Sequence, residues 1–225
     1  MAHALVITNP AAARTRPLAV RAILDTFRGA GWTTDLSETA GTGDARRFAA
    51  EGVTAGVDVV AVFGGDGTTM QAASSLVGTD VLLGIIPGGT GNLLAGNLRI
   101  PSSPVRAVRS LLAGRPRPFD LGRVELADGT HYFAVACGAG YDARVMAGTP
   151  ADLKRRWNIS AYIDPTFHIL GELRTAQHRI TVDGVTFEAE AAMVLIANCG
   201  EVIPPWIRLR SGIRPDDGEL DVIVI

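Results

Sequence analysis

The chain has 225 residues, which corresponds to one large domain or two small ones. Its 47% of apolar residues is enough for a hydrophobic core and excludes general disorder. The 21 basic and 23 acidic residues give a net charge of -2, which argues against a nucleic-acid partner.

The first half of the chain alternates predicted strands and helices. Apolar runs predict strands at 4–9, 32–37, 57–63 and 81–86, and helical spacing predicts helices at 17–28, 44–51 and 69–77. The run 57–63 is apolar and β-branched throughout, as buried parallel strands are. This alternation predicts a doubly wound α/β domain over residues 1–118.

The pattern changes after Pro116, where predicted strands follow one another. They cover 119–126, 131–138, 177–183, 185–197 and 219–225, and one helical stretch at 151–175 interrupts them. Asp128-Gly129 and Asp183-Gly184 are typical of hairpin turns. Residues 119–225 are therefore predicted to form a second, mainly antiparallel β domain.

The sequence predicts no membrane span, because no apolar run reaches the ~18–20 residues that a span needs. It predicts no signal peptide, because Met1-Ala2-His3 leads directly into an apolar strand pattern. Cys137 and Cys199 each lie in an apolar segment and predict buried thiols rather than a disulfide framework. We expect a cytoplasmic protein that at most lies on a membrane surface.

A glycine cluster, residues 64–68 (Gly-Gly-Asp-Gly-Thr), follows the strand 57–63 and precedes a helix. Open α/β sheets bind ligands at this edge. Glycines let the backbone approach a ligand closely, and the N–H groups that begin the next helix attract an anion. The cluster predicts a phosphate site, and a tight turn without a ligand is the alternative.

Asp66 is a carboxylate inside this cluster. It would repel a phosphate unless a cation lies between them or the carboxylate takes up a proton. Asp66 therefore predicts either Mg²⁺ binding through water or a general base acting on a hydroxyl. A helix N-cap is the structural alternative, and it is compatible with both roles.

A second cluster, Pro87 to Asn92, repeats the arrangement after the next predicted strand. Two such loops on neighbouring strand ends are expected to face one crevice. The glycines precede no Lys of a Walker motif and do not fit Gly-x-Gly-x-x-Gly, which argues against a dinucleotide-binding Rossmann site.

These motifs together resemble the diacylglycerol-kinase catalytic-domain family, which includes bacterial lipid kinases and sphingosine kinases. The two glycine clusters, 64–68 and 87–95, carry most of the resemblance. Other segments agree in order along the chain: Asn9-Pro10, Thr39 with 43–45, Asn97-Leu98, Ile100-Pro101, Asp120-Leu121-Gly122, 137–143, Lys154-Arg155-Arg156, Ala161-Tyr162, Asn198 and 216–221.

The resemblance implies that ATP, with Mg²⁺, donates its γ-phosphoryl group to the hydroxyl of a lipid such as diacylglycerol or a sphingoid base, as in phospholipid biosynthesis. It implies a structural Mg²⁺ site at Asp217 and Glu219, where an ordinary turn is the alternative. It implies nucleotide contacts by Asn9, Thr39, Gly64, Gly65, Asp66, Gly67, Thr68, Gly89, Thr90, Gly91 and Asn92.

The sequence departs from the family pattern at several positions. Ala13 replaces a usual glycine, and Met70-Gln71 replaces a frequent Asn-Glu, which removes a carboxylate. Family members usually continue for about 70 further residues, which include a catalytic Asp in bacterial members. By comparison, the expected β-sandwich domain is C-terminally incomplete, and Asp66 becomes the candidate catalytic base.

A lipid substrate also implies a peripheral membrane surface, at the inner membrane face. Lys154–Trp157 and Trp206–Arg210 combine cations with Trp and are candidate anchors, with solvated turns as the alternative. The sequence leaves open a homo-oligomer. Two other functions also stay open: an NAD kinase, which shares the first glycine cluster but not the second, and a catalytically silent nucleotide-binding module.

Overall fold

The computed structural model describes residues 1–140, 175–205 and 207–225. Strands and helices alternate through the first half of the chain, as predicted. In chain order they are β1 (His3–Thr8), α1 (Pro17–Gly29), β2 (Thr33–Glu38), α2 (Asp44–Ala55), β3 (Val59–Gly64), α3 (Asp66–Leu76), β4 (Leu82–Pro87), α4 (Leu93–Asn97) and α5 (Pro104–Ala113).

The first four strands form one parallel sheet in the order β2-β1-β3-β4. Every residue of the central strand β3 is buried, as its continuous apolar sequence requires. The chain moves outward from β1 to β2 and then returns to β3. A topological switch point therefore lies between β1 and β3, where sheets of this kind open a crevice.

Helices cover both faces of this sheet. Ala4 and Val6 of β1 pack with α1 and α5 on one face, in a core that also contains Phe27 and Phe63. The alternate residues of β1 pack with α2 and α3 on the other face. This two-sided packing confirms the predicted doubly wound α/β layer.

The second half of the described chain is antiparallel. Its strands are β5 (Gly122–Leu126), β6 (Gly129–Phe133), β7 (Ala136–Gly140), β8 (Ala176–Val182), β9 (Val185–Ala191), β10 (Met193–Ala197), β11 (Glu201–Ile203), β12 (Ile207–Arg208) and β13 (Asp221–Val224). One sheet has the order β13-β10-β7, and hairpins join β5–β6, β8–β9 and β11–β12. Asp183 and Gly184 both have positive φ, as the predicted two-residue turn requires.

Three predicted elements need correction. The helix predicted from residue 69 begins at Asp66, because Gly65 already serves as its N-cap. The strand predicted over 185–197 is two strands, β9 and β10, since the N–H groups of Ala192 and Met193 both donate to the Ile225 carbonyl. The strand predicted over 131–138 is likewise divided between β6 and β7.

Some predictions lie outside the described residues, namely residues 151–174 of the predicted helix, the motif residues 141–143 and Ala161-Tyr162, the basic segment Lys154–Trp157 and Trp206. Cys199 is buried, as predicted, whereas Cys137 is only partly buried. In the part of the chain that the structure describes, no helix has both the length and the apolar character needed to cross a membrane.

Candidate active site

The carboxyl edge of the parallel sheet collects all the residues predicted to contact a nucleotide. Asn9 follows β1, Thr39 follows β2, the first glycine cluster follows β3, and the second follows β4. The four strands are neighbours in the sheet and point the same way. Asn9 and Asn92, which are 83 residues apart in sequence, thereby share one edge, because parallel strands end together.

The two glycine clusters form turns that touch each other. The N–H groups of Gly88 and Gly89 donate to the Gly64 carbonyl at 2.8 and 3.1 Å. A Cβ atom on Gly89 would lie 2.7 Å from Gly65 Cα, and one on Gly88 would lie 3.0 Å from Gly64 N. The glycines are therefore needed for this close backbone approach.

Asp66 connects the two turns. Its carboxylate belongs to the first turn of α3, and its Oδ1 accepts the N–H of Leu94 in α4 at 3.1 Å. Its Oδ2 faces Gly91, where an added Cβ would lie 3.3 Å away. The side chain is half-buried. One carboxylate oxygen is thus held by α4, while the other lies beside the tip of the second turn.

Asn92 closes the second turn through both ends of its amide. Its Oδ1 accepts the Gly89 N–H at 2.9 Å, and its Nδ2 donates to the Gly89 carbonyl at 2.8 Å. Its backbone has a φ of 50°, a left-handed conformation that Asn tolerates better than most residues. Thr90 and Gly91 lie exposed at the tip of this turn.

The loop after β1 is tied to both glycine turns. Asn9 Nδ2 donates to Thr68 Oγ1 at 3.0 Å, while Asn9 Oδ1 accepts the Ala11 N–H. The Arg14 N–H donates to the Gly88 carbonyl at 2.9 Å. Because Thr68 Oγ1 accepts from Asn9, its own O–H can donate to a ligand oxygen.

The loop after β2 is ordered by Asp44 at the start of α2. Asp44 Oδ2 accepts the N–H groups of Ala40 and Gly41 at 2.8 and 2.9 Å. These backbone hydrogen bonds, with a smaller effect of Arg47, hold the pKa of Asp44 below its usual value. Thr39, at the start of this loop, donates its N–H to the Thr8 carbonyl.

Gln71 joins this loop to α3, a role that sequence reasoning missed. Its Oε1 accepts the Gly43 N–H at 3.0 Å. The sequence comparison suggested only the loss of a carboxylate at this position. The amide oxygen still supplies an acceptor for the loop, without a negative charge.

The turn that contains Asp217 and Glu219 lies on the second half of the chain and is anchored by Asp120. Asp120 Oδ2 accepts the Gly218 N–H at 2.7 Å, and the Asp120 N–H donates to the Pro215 carbonyl. Sequence reasoning treated Asp120 as part of a motif and not as a site residue. Its contact with a turn 98 residues away has no local signal.

The turn at Asp217 and Glu219 offers oxygen donors, which are the atoms that Mg²⁺ prefers. Within residues 1–140, 175–205 and 207–225, no group of three or more His, Cys, Asp or Glu is arranged to hold a metal. Asp217 Oδ1 accepts the Glu219 N–H at 3.2 Å, which leaves the other carboxylate oxygen and the main-chain carbonyls as donors. Mg²⁺ often binds through one or two carboxylates and several waters, so this turn fits a water-rich site.

Two family models match the chain. The model of the diacylglycerol kinase catalytic domain matches residues 3–124. The model of the YegS C-terminal NAD kinase beta sandwich-like domain matches residues 135–225. The first match covers the whole parallel sheet and both glycine turns.

Individual proteins agree with these models. A protein of Pseudomonas aeruginosa PAO1 named "Probable lipid kinase YegS-like" is 33% identical over 92% of this chain and 67% of its own length. The diacylglycerol kinase of Bacillus subtilis strain 168 is 29% identical over 100% of this chain and 74% of its own. The crystal structure of a diacylglycerol kinase from Bacillus anthracis Sterne superimposes with a TM-score of 0.74 at 26% identity, covering 99% of this chain and 73% of that one. The resemblance seen in the sequence is thereby confirmed, and the chain belongs to the diacylglycerol kinase catalytic domain family of lipid kinases.

Proposed function

We propose that this lipid kinase transfers the γ-phosphoryl group of ATP to the hydroxyl of a lipid such as diacylglycerol or a sphingoid base. One observation carries the proposal: the Asp66 carboxylate lies between two touching glycine turns at the carboxyl edge of a parallel sheet. Such an edge, with a helix starting at it, suits a phosphate chain. A carboxylate at the same place suits a proton acceptor.

In this proposal the nucleotide phosphates lie against the start of α3. The first N–H groups of a helix lack acceptors within the helix, and the helix dipole favours negative charge there. The Thr68 hydroxyl donates a further hydrogen bond. The residues that line the rest of the nucleotide site are Asn9, Thr39, Gly64, Gly65, Gly67, Gly89, Thr90, Gly91 and Asn92.

Asp66 acts as the general base. Its Oδ1 is held by the Leu94 N–H, which fixes the direction of the carboxylate. Its Oδ2 accepts the proton of the lipid hydroxyl as that oxygen bonds to the γ-phosphorus. The bond from the γ-phosphorus to the bridging β–γ oxygen breaks, and ADP leaves. Mg²⁺ bound with ATP would neutralise the phosphate charge, and Asp217 and Glu219 would hold a separate structural Mg²⁺.

The wider organisation is also part of the proposal. Residues 1–118 carry the nucleotide, and residues 119–225 contact the lipid at the cytoplasmic surface of a membrane. The support is the change from a parallel to an antiparallel architecture between α5 and β5. A γ-phosphoryl group at the sheet edge would then lie between the two halves of the chain.

The test is a phosphorylation assay with labelled ATP, Mg²⁺ and mixed micelles that contain diacylglycerol or a sphingoid base. Asp66→Asn keeps an oxygen for the Leu94 N–H but removes the base, so lipid phosphorylation should fall by about 10²- to 10⁴-fold. Asp80→Asn changes an exposed carboxylate after the other end of α3 and should leave the rate unchanged.

Three results would contradict the proposal. Full activity of Asp66→Asn would remove Asp66 from the mechanism. Labelled NADP formed from NAD, with no labelled lipid, would identify an NAD kinase. ATP binding by the unaltered protein without any labelled product would identify a silent nucleotide-binding module.

A further inference from the structure

The short helix α4 is attached at its two ends to different parts of the molecule. Near its start, the Leu94 N–H donates to Asp66 Oδ1 in the glycine turns. At its end, Asn97 binds the second half of the chain at β11. Because α4 has only five residues, a little over one helical turn, its two points of attachment lie close together.

The attachment at the end of α4 resembles the pairing of two strands. Asn97 Nδ2 donates to the Glu201 carbonyl at 2.8 Å, and Asn97 Oδ1 accepts the Glu201 N–H at 3.1 Å. Gly96 lies so close to the adjoining turn that an added Cβ would be 2.8 Å from Pro204 Cβ. The two halves of the chain are therefore in direct contact here.

The Glu201 side chain strengthens this attachment with charge. Only 6% of it is exposed, and its carboxylate accepts two hydrogen bonds from Arg99, at 2.9 and 2.5 Å, and one from Arg208 at 2.9 Å. Hydrogen bonds from Arg99 first, and then from Arg208, hold the pKa of Glu201 below its usual value. Charge-assisted bonds of this kind fix geometry more firmly than neutral ones.

Arg99 itself has an unusual backbone. Its φ of 56° is left-handed, which non-glycine residues adopt only when their surroundings impose it. The two-pronged contact with Glu201 is one such constraint, and it holds the residue directly after the α4 C-cap. The backbone of Arg99 and the carboxylate of Glu201 therefore constrain each other's position.

We infer that Glu201 is a positioning residue, which fixes the second half of the chain against α4 and, through the Leu94–Asp66 hydrogen bond, against the reacting carboxylate. The inference rests on the proposed function, in which the nucleotide and the lipid are held by different halves of the chain. Asn97, Arg99, Glu201 and Arg208 together form the contact that we call the joint. The position of the lipid hydroxyl relative to the γ-phosphoryl group then depends on this joint.

Steady-state kinetics of Glu201→Gln test this inference. The variant keeps the backbone pairing with Asn97 but removes the charge from the joint. The kcat for lipid phosphorylation should fall by about tenfold, while the KM for ATP should stay within about twofold. Glu188→Gln is the matched control, since Glu188 forms an exposed ion pair with Arg179 in the β8–β9 hairpin, and it should change neither value.

A double-mutant cycle separates the joint from general destabilisation. Asn97→Ala should also lower kcat, and the double variant with Glu201→Gln should fall no further than the more impaired single variant. Independent, multiplying losses would overturn the inference, as would an unchanged kcat in Glu201→Gln. If Glu201→Gln does not fold, Arg208→Gln, which retains the Arg99 contact, should show a smaller loss of kcat at constant KM, and an unchanged kcat would overturn the inference.

A measurement without substrate keeps the inference separate from the proposed function. Hydrogen exchange of the Leu94 amide should be about tenfold faster in Glu201→Gln than in the unaltered protein, and unchanged in Glu188→Gln. Unchanged exchange in Glu201→Gln overturns the inference whatever the activity. Failure of the unaltered protein to phosphorylate any lipid overturns the proposed function, while faster exchange would still support the joint.

Discussion

Gly89→Ala directly tests the contact between the two glycine turns. The new Cβ would lie 2.7 Å from Gly65 Cα and 3.2 Å from Asn92 Oδ1. The φ of Gly89 is not in the positive range, so the alanine meets a steric obstacle and no conformational penalty. Its nearest neighbour is a backbone atom, which cannot rotate away as a side chain would.

The size of the effect follows from this overlap. Ordinary contacts begin near 3.4 Å, so the turns must separate by about 0.7 Å. Overpacking of this kind lowers the free energy of unfolding by about 1–3 kcal/mol. For a chain of this length, each kcal/mol lowers Tm by roughly 2–4 °C.

Thermal unfolding of the variant and of the unaltered protein provides the assay. Gly67→Ala is the matched control because nothing lies within 4 Å of its added Cβ and the residue is in the first turn of α3. Alanine is the better helix former by about 0.5–1 kcal/mol, so the control should unfold at an equal or higher temperature. If Gly89→Ala unfolds no earlier than the unaltered protein, the argument from close approach is wrong.

Three further predictions concern other contacts of the site and the core. Asn9→Leu removes the donor to Thr68 at nearly constant volume, so calorimetry should find ATP bound about tenfold more weakly, while circular dichroism should find the fold retained. Burial raises the pKa of the Cys199 thiol from 9.0 to about 11, so mass spectrometry after alkylation of the native protein at pH 8 should find Cys199 unmodified. Because the native state keeps this proton longer than the unfolded state, the free energy of unfolding should also fall as the pH rises from 9.0 to about 11. The pKa of Asp44 is held below 3.8, so the stabilisation that its carboxylate supplies is present above pH 3.8 and should be lost as the pH falls through the lower native pKa; carboxyl NMR titration should locate that midpoint below 3.8.

The parallel half of the fold was predictable because its signals are local. The apolar run before Gly64 can only be buried, and burial on both faces implies helices on both sides. The position of the glycine clusters after two such runs then brings them to one edge of the sheet. Local sequence thus predicts the placement of Asp66 beside the second turn.

The antiparallel half was less predictable because its breaks depend on distant partners. No turn residue interrupts the sequence from Val185 to Ala197, yet the strand divides where the Ala192 N–H donates to the carbonyl of Ile225. The Arg99–Glu201 pair spans 102 residues and likewise has no local pattern. Contacts of this kind follow from how the two halves pack, which periodicity and turn residues do not encode.

The self-closed turn at Asn92 affects how a ligand would be received. Its amide is already bonded at both ends to Gly89, so the conformational entropy of the turn is lost when the chain folds and not when a ligand arrives. A ligand at this edge meets a preorganised wall, and little ordering entropy of this segment opposes its binding. The same rigidity limits adaptation, so a ligand whose shape does not match the gap between the turns gains nothing from induced fit.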